Sequence, residues 1–90
     1  MDGATFEAEL RREGYQIFAG GLEPNHCNPA HAQDFDVRVM VLAGEIRITR
    51  DGQATTFRRG DSCNVPRGCM HMEQVGPEGV AYVAGRIPPR

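Results

Sequence analysis

Histidine, cysteine, carboxylate and amide side chains crowd into one short stretch, Pro24-Asn25-His26-Cys27-Asn28-Pro29-Ala30-His31-Ala32-Gln33-Asp34-Phe35-Asp36. It holds two of the chain's three histidines and one of its three cysteines. The third histidine, His71, stands forty residues beyond His31, with Cys69 two residues before it and Glu73 two after. Neutral imidazoles, carboxylates and thiolates are the ligands of divalent transition metals. A histidine such as His26, in a loop bounded by Pro24 and Pro29, can also act as an acid or base over a pocket mouth. The plainer alternative is a polar loop entering a strand, with exposed histidines and with cysteines packed as small hydrophobes. No CxxC or zinc-finger spacing, Ser-His-Asp arrangement, phosphate loop or dinucleotide fingerprint is present.

Such residues need elements to hold them. Residues 5–13 predict one short helix, with Thr5 as its cap, acids early, arginines late and Gly14 at its end. After Gly14 the glycines and prolines recur at strand spacing, and the runs between them are alternating or β-branched, which predicts an all-β sandwich or barrel. In Phe35–Leu42 the residues Phe35, Val37, Val39 and Val41 share one face, with Asp36 and Arg38 on the other. Asp51-Gly52 joins strands 45–50 and 53–58 in a tight hairpin, because that pair tolerates positive φ. Further strands are predicted near 15–19, 62–65, 70–75 and 79–87, with Gly76-Pro77-Glu78-Gly79 turning between the last two.

The stretch Gly60-Asp61-Ser62-Cys63-Asn64-Val65-Pro66-Arg67-Gly68-Cys69-Met70-His71 uses glycines and a proline at fixed offsets to present His71 at a strand start, where its ring can point into a barrel. The spacing Gly60, Pro66, Gly68, His71 resembles the second motif of the cupin superfamily, with Val75 where that motif carries asparagine. The first cupin motif, anchored on Gly44, falls on His31, Gln33 and Val37, so two of its three ligand positions are altered. The resemblance covers about residues 22–87. It implies a small single-domain cupin over residues 1–90, a conical jelly-roll barrel over about 15–87 with a central pocket, and a homodimer in bacterial cytoplasm.

Mapped this way, the metal ligands are His31, Gln33 and His71, with iron, nickel, zinc or manganese as the candidate divalent ion. Gln33 offers only an amide oxygen and Val37 nothing, so a carboxylate must come from elsewhere. Glu73 shares the face of His71, whereas parity turns Asp36 outward unless a bulge intervenes. Phe35, Val37, Met70 and Tyr82 are expected to line the pocket, together with Met40, Met72 and Phe57 if these face inward. Tyr82 and Arg86 share strand parity, which could orient an anionic ligand, and the plainer reading, a surface pair, is preferred.

Composition narrows the partners. With 40% hydrophobic and 24% charged residues and a net charge of −2, the chain has the balance of a globular domain. It has neither the basic patch of a nucleic-acid binder nor an apolar run approaching a bilayer span. The amino terminus lacks the order of a secretory signal, and an odd cysteine count suits reduced thiols in a cytoplasm. The expected partner is a small molecule. Three functions stay open: a barrel binding a divalent metal, a small molecule or both; a metal-dependent oxygenase or isomerase acting on a small polar or aromatic compound; and a metal-free sensor barrel.

Overall fold

The computed structural model describes residues 1–87. Helix α1 (Gly3–Arg12) precedes six strands: β1 (Gln16–Leu22), β2 (Cys27–His31), β3 (Asp36–Arg50), β4 (Gln53–Arg58), β5 (Ser62–Val65) and β6 (His71–Ile87). Every pairing is antiparallel. Among the described residues no helix is long and apolar enough to cross a membrane.

Two strands organise the molecule. The segments expected as 35–42 and 45–50 are one strand, β3, and those expected as 70–75 and 79–87 are one strand, β6. They pair from Asp36↔Ile87 to Thr49↔Met72, and the register shifts around Ala43–Ile46, opposite Gly76–Val80. The Ala43-Gly44 and Gly76–Gly79 signals therefore bend continuous strands instead of ending them. The bend folds the sheet on itself into two halves. One half reads β5–β3–β6–β1 through residues 37–40 of β3 and 80–86 of β6; the other reads β4–β3–β6–β2 through 45–50 and 71–74. Glycine is required at the bend. Gly44 has φ +73, and Gly79, at φ +79, packs its backbone where a Gly44 side chain would lie.

Alternation divides each strand between two cores. Val41, Ile46, Ile48, Val75 and Val80 close the inside of the sandwich near the bend. Met40 and Val83 face outward and are covered by Phe6 and Leu10 of α1, which lie one helical turn apart. Gly85 lets the helix settle, since a Cβ there would lie 2.9 Å from the Tyr15 Cβ and 3.0 Å from Leu10 Cδ1.

The helix starts earlier than the sequence indicates. Its cap is Asp2, not Thr5, and Asp2 Oδ1 accepts the Thr5 backbone N–H at 2.8 Å. Gly14, at φ +83, follows the last turn as expected. The Thr5 N–H holds the Asp2 carboxyl below its ordinary value. A carboxyl depressed in the fold stabilises it above the unfolded carboxyl's pKa and loses that effect as pH falls through the folded value. Asp2→Ala should therefore lower the Tm at neutral pH, and the two melting curves should converge in strong acid, as followed by circular dichroism.

The Asp51-Gly52 hairpin forms as read, with Arg50↔Gln53 closing it and both central residues at positive φ.

Candidate metal centre

Both imidazoles are delivered to one end of the sandwich, away from the bend. His71 opens β6, and the turn before it is held from two sides. The Gly68 N–H donates to the Gln33 carbonyl at 2.9 Å, and the Arg67 N–H donates to Asp36 Oδ1 at 2.7 Å. Asp36 is thus exposed and engaged with this turn, outside the cluster that His31, His71 and Glu73 form. The outward parity of its strand position stands.

His31 arrives on β2, a strand that Pro29 within it and Pro24 before it had disguised as a loop. β2 pairs with β6 through Cys27↔Gln74, Asn28↔Glu73 and His31↔His71, with a register shift between Asn28 and His31. Pro29 has no N–H to give the ladder, and a bulge there puts Asn28 and His31 on the same inner side although they are three residues apart.

The result is a close cluster. His31, His71 and Glu73 each offer a ligand atom, and these atoms lie within 4.8 Å of one another. The two rings stand 4.4 Å apart, centre to centre. His71 is buried to 2% exposure. His31 Nδ1 lies 2.8 Å from the Pro29 carbonyl oxygen and His71 Nδ1 lies 3.0 Å from that of Cys69. A carbonyl oxygen only accepts, so each Nδ1 carries a proton, and in the neutral ring Nε2 then keeps the lone pair. Glu73 Oε1 accepts from Asn28 Nδ2 at 2.7 Å, and Asn28 Oδ1 is met by His26 Nε2 at 2.8 Å. These donors fit a divalent metal: two oriented neutral imidazoles, one carboxylate, and hydrogen bonds that fix all three.

The cluster borders a cavity of about 490 Å³. His31, Gln33, Phe35 and Val37 all line it, as their shared parity predicts, although the chain leaves strand geometry between β2 and β3. Tyr82 lines it too, so it is no surface residue; its hydroxyl group occupies the space a Gly20 Cβ would take. Met70 does not line the cavity. It is 60% exposed, because its neighbour His71 points inward and strand residues alternate. Met72 is turned outward for the same reason, Met40 lies beneath the helix, and Phe57 packs against the inner core. His26 is exposed and outside the cavity, touching the site through Asn28.

Asn28 and Phe18 are among the lining residues that the sequence reading missed. The signal for Asn28 was the Asn-Pro pair, which marks a bulge once β2 is known to be a strand. Cys63 packs against the inner core, where burial pushes its thiol up to about 11, with Arg50 opposing the shift and Glu73 adding to it. At neutral pH it is a protonated thiol, not a thiolate ligand.

No protein-family model matches the sequence. No curated protein matches it either. Solved structures do resemble it. A crystal structure of a protein of unknown function from Rhizobium leguminosarum bv. viciae 3841 superposes with a TM-score of 0.77 at 20% identity, over 92% of this chain and 91% of that one. A cupin-2 domain containing protein from Shewanella frigidimarina NCIMB 400 gives 0.67 at 23% identity, over 82% and 70%. The Cupin_2 domain of an XRE family transcriptional regulator from Enterobacter cloacae gives 0.69 at 17% identity, over 89% and 87%. With its bent β3 and β6 and a histidine opening the latter, the chain has the fold of a small cupin.

Proposed function

We propose that this barrel holds one divalent metal at its open end and binds a small molecule beside it. The observation that carries the reading is the pair of Nδ1–H to carbonyl hydrogen bonds, which leaves both Nε2 lone pairs of His31 and His71 beside Glu73. Two imidazoles and one carboxylate suit iron(II) and also accept nickel, zinc or manganese. When bound, such an ion supplies a Lewis acid. The chain's own residues fix the donors, exclude bulk water with apolar walls and offer the Gln33 amide as a neutral fourth contact.

The test is elemental analysis of protein reloaded with each ion and then desalted. About one equivalent per chain supports the proposal, and trace metal after every reloading defeats it. Asn28 gives a finer check. It holds Glu73 without itself being a ligand, so Asn28→Ala should weaken metal affinity by about tenfold or more while stoichiometry is kept. Competition with a chelating dye measures the change, and an unaltered affinity would show that Glu73 does not ligate.

An oxygenase or isomerase is the enzymatic form of this reading. A sensor barrel is the other form, and the Enterobacter cloacae regulator whose Cupin_2 domain resembles this chain supports it. A homodimer is supported by the end strands of the sheet path, β1 and β4, whose residues are mostly exposed and whose edges suit pairing with a second copy. Three free cysteines suit the reducing cytoplasm.

A further inference from the structure

The cavity has no cation of its own. Its polar lining is Asn28, His31, Gln33, His71, Glu73 and Tyr82, and the rest of the wall is mainly valine, isoleucine and aromatic rings. Away from those six residues the walls give no partners to a hydroxyl-rich molecule, whose desolvated groups there would go unpaired. They suit an apolar body.

At the rim stands Arg86. The row Val80, Tyr82, Ala84 lines the cavity along β6, and Arg86 continues that row to the exposed end of the strand. His71 begins the same strand on the other side of the bend, so Arg86 and the imidazoles sit at the same open end on opposite halves. The Arg86 guanidinium carbon lies 5.2 Å from the ring centre of Phe35 and 5.9 Å from that of Phe18, and both rings line the cavity.

Five other arginines are engaged elsewhere, while Arg12, Arg59 and Arg67 neither line the cavity nor stack on its rings. Arg11, Arg38 and Arg58 pair with carboxylates, and Arg47 and Arg50 donate to Gln74 and Asn64. Arg86 has no carboxylate partner among the described residues. Aromatic faces orient a planar guanidinium, and its N–H groups lie in its own plane, where a carboxylate takes two of them together.

We infer that the small molecule is an organic monoacid, its apolar body inside the cavity and its carboxylate paired with Arg86 at the rim. This rests on the small-molecule half of the proposed function and not on the metal.

The test uses metal-free protein and matched probes, phenylacetate against phenylacetamide and hexanoate against hexanamide, by calorimetry and thermal shift. Each acid should bind about tenfold or more tightly than its amide, the size of one charge-assisted pair. Arg86→Gln should erase that preference and Arg86→Lys should restore part of it, and on separate reloading both variants should take up as much metal as the parent chain. Equal affinity for acid and amide, binding by neither series, or an acid preference that survives Arg86→Gln would each overturn the inference. Failure of metal loading with the acid preference intact would leave it standing and count against the metal alone.

Discussion

Gly44→Ala should move the urea midpoint of unfolding far down. At φ +73 an alanine already sits in a region costly for L-residues, by about 1–2 kcal/mol. Its Cβ would also overlap the Gly79 carbonyl oxygen, lie 2.8 Å from the Gly79 carbonyl carbon and reach 3.1 Å from Val80 Cα. These are backbone atoms of a paired strand, with no flexible side chain to swing aside. Relief requires parting β3 from β6 at the bend, where Gly44↔Val80 and Ala43↔Ala81 are paired and Val41 and Val80 are buried. The cost should reach about 4 kcal/mol or more, against a typical total of about 5–15. Urea titration followed by circular dichroism measures it. Gly52→Ala is the matched control: its φ is +75 but nothing lies within 4 Å of the added methyl, so only the backbone strain should register. Equal losses at the two sites would mean that the contact with Gly79 contributes nothing.

His71→Ala should abolish stoichiometric metal. It removes one of two oriented imidazoles and leaves His31 and Glu73, a pair too few to hold an ion against buffer. Replacing a hydrogen-bonding partner of a ligand typically costs about 10–100-fold in affinity, and loss of the ligand itself should exceed that. Because His71 is 2% exposed, truncation also opens a void and frees the Cys69 carbonyl, so the variant's fold needs separate verification. His31→Ala, at a half-buried position, and Glu73→Gln, which keeps the side chain's shape, make the same test with less structural risk. All three should lose metal at unchanged secondary structure. Retention of one equivalent by all three would place the ion elsewhere. Gln33→His should act in the opposite direction and tighten binding, since it adds a third imidazole on the face already shared with His31.

Much of this was legible in the residues because it depends on local chemistry. The Asp51-Gly52 hairpin and the Pro66-Gly68 turn before His71 need particular residues at particular φ, and alternation along Phe35–Val41 assigns faces without knowledge of any partner. The same parity put Glu73 forward as a candidate beside His71, and it lines the cavity. What escaped depends on pairing between distant segments. β2 carries a central proline, Pro29, and no β-branched residue, and it is a strand because β6 offers it an edge. The inward turn of Asn28 requires the bulge at Pro29, and a bulge inverts any argument from alternation. The bends at Gly44 and Gly76–Gly79 resembled chain reversals because a glycine at positive φ serves both. Met70 was misplaced for want of the rule that placed its neighbour.

The bends carry a further consequence for how the molecule forms and fails. β3 and β6 each run through both halves, so neither half owns its central strands. Asp36 meets Ile87 and Thr49 meets Met72, contacts that close loops of many residues before they return any stability. A chain built on such distant pairings folds slowly, on the order of milliseconds to seconds. Once formed, it has no natural seam. Fraying at the ligand end reaches both halves, because β6 begins there at His71 and ends there at Ile87, and it runs along β6 from either side toward the bend. Opening for a ligand and global unfolding are therefore successive stretches of one route, and whatever clamps His31 to His71 also guards the rest of the barrel.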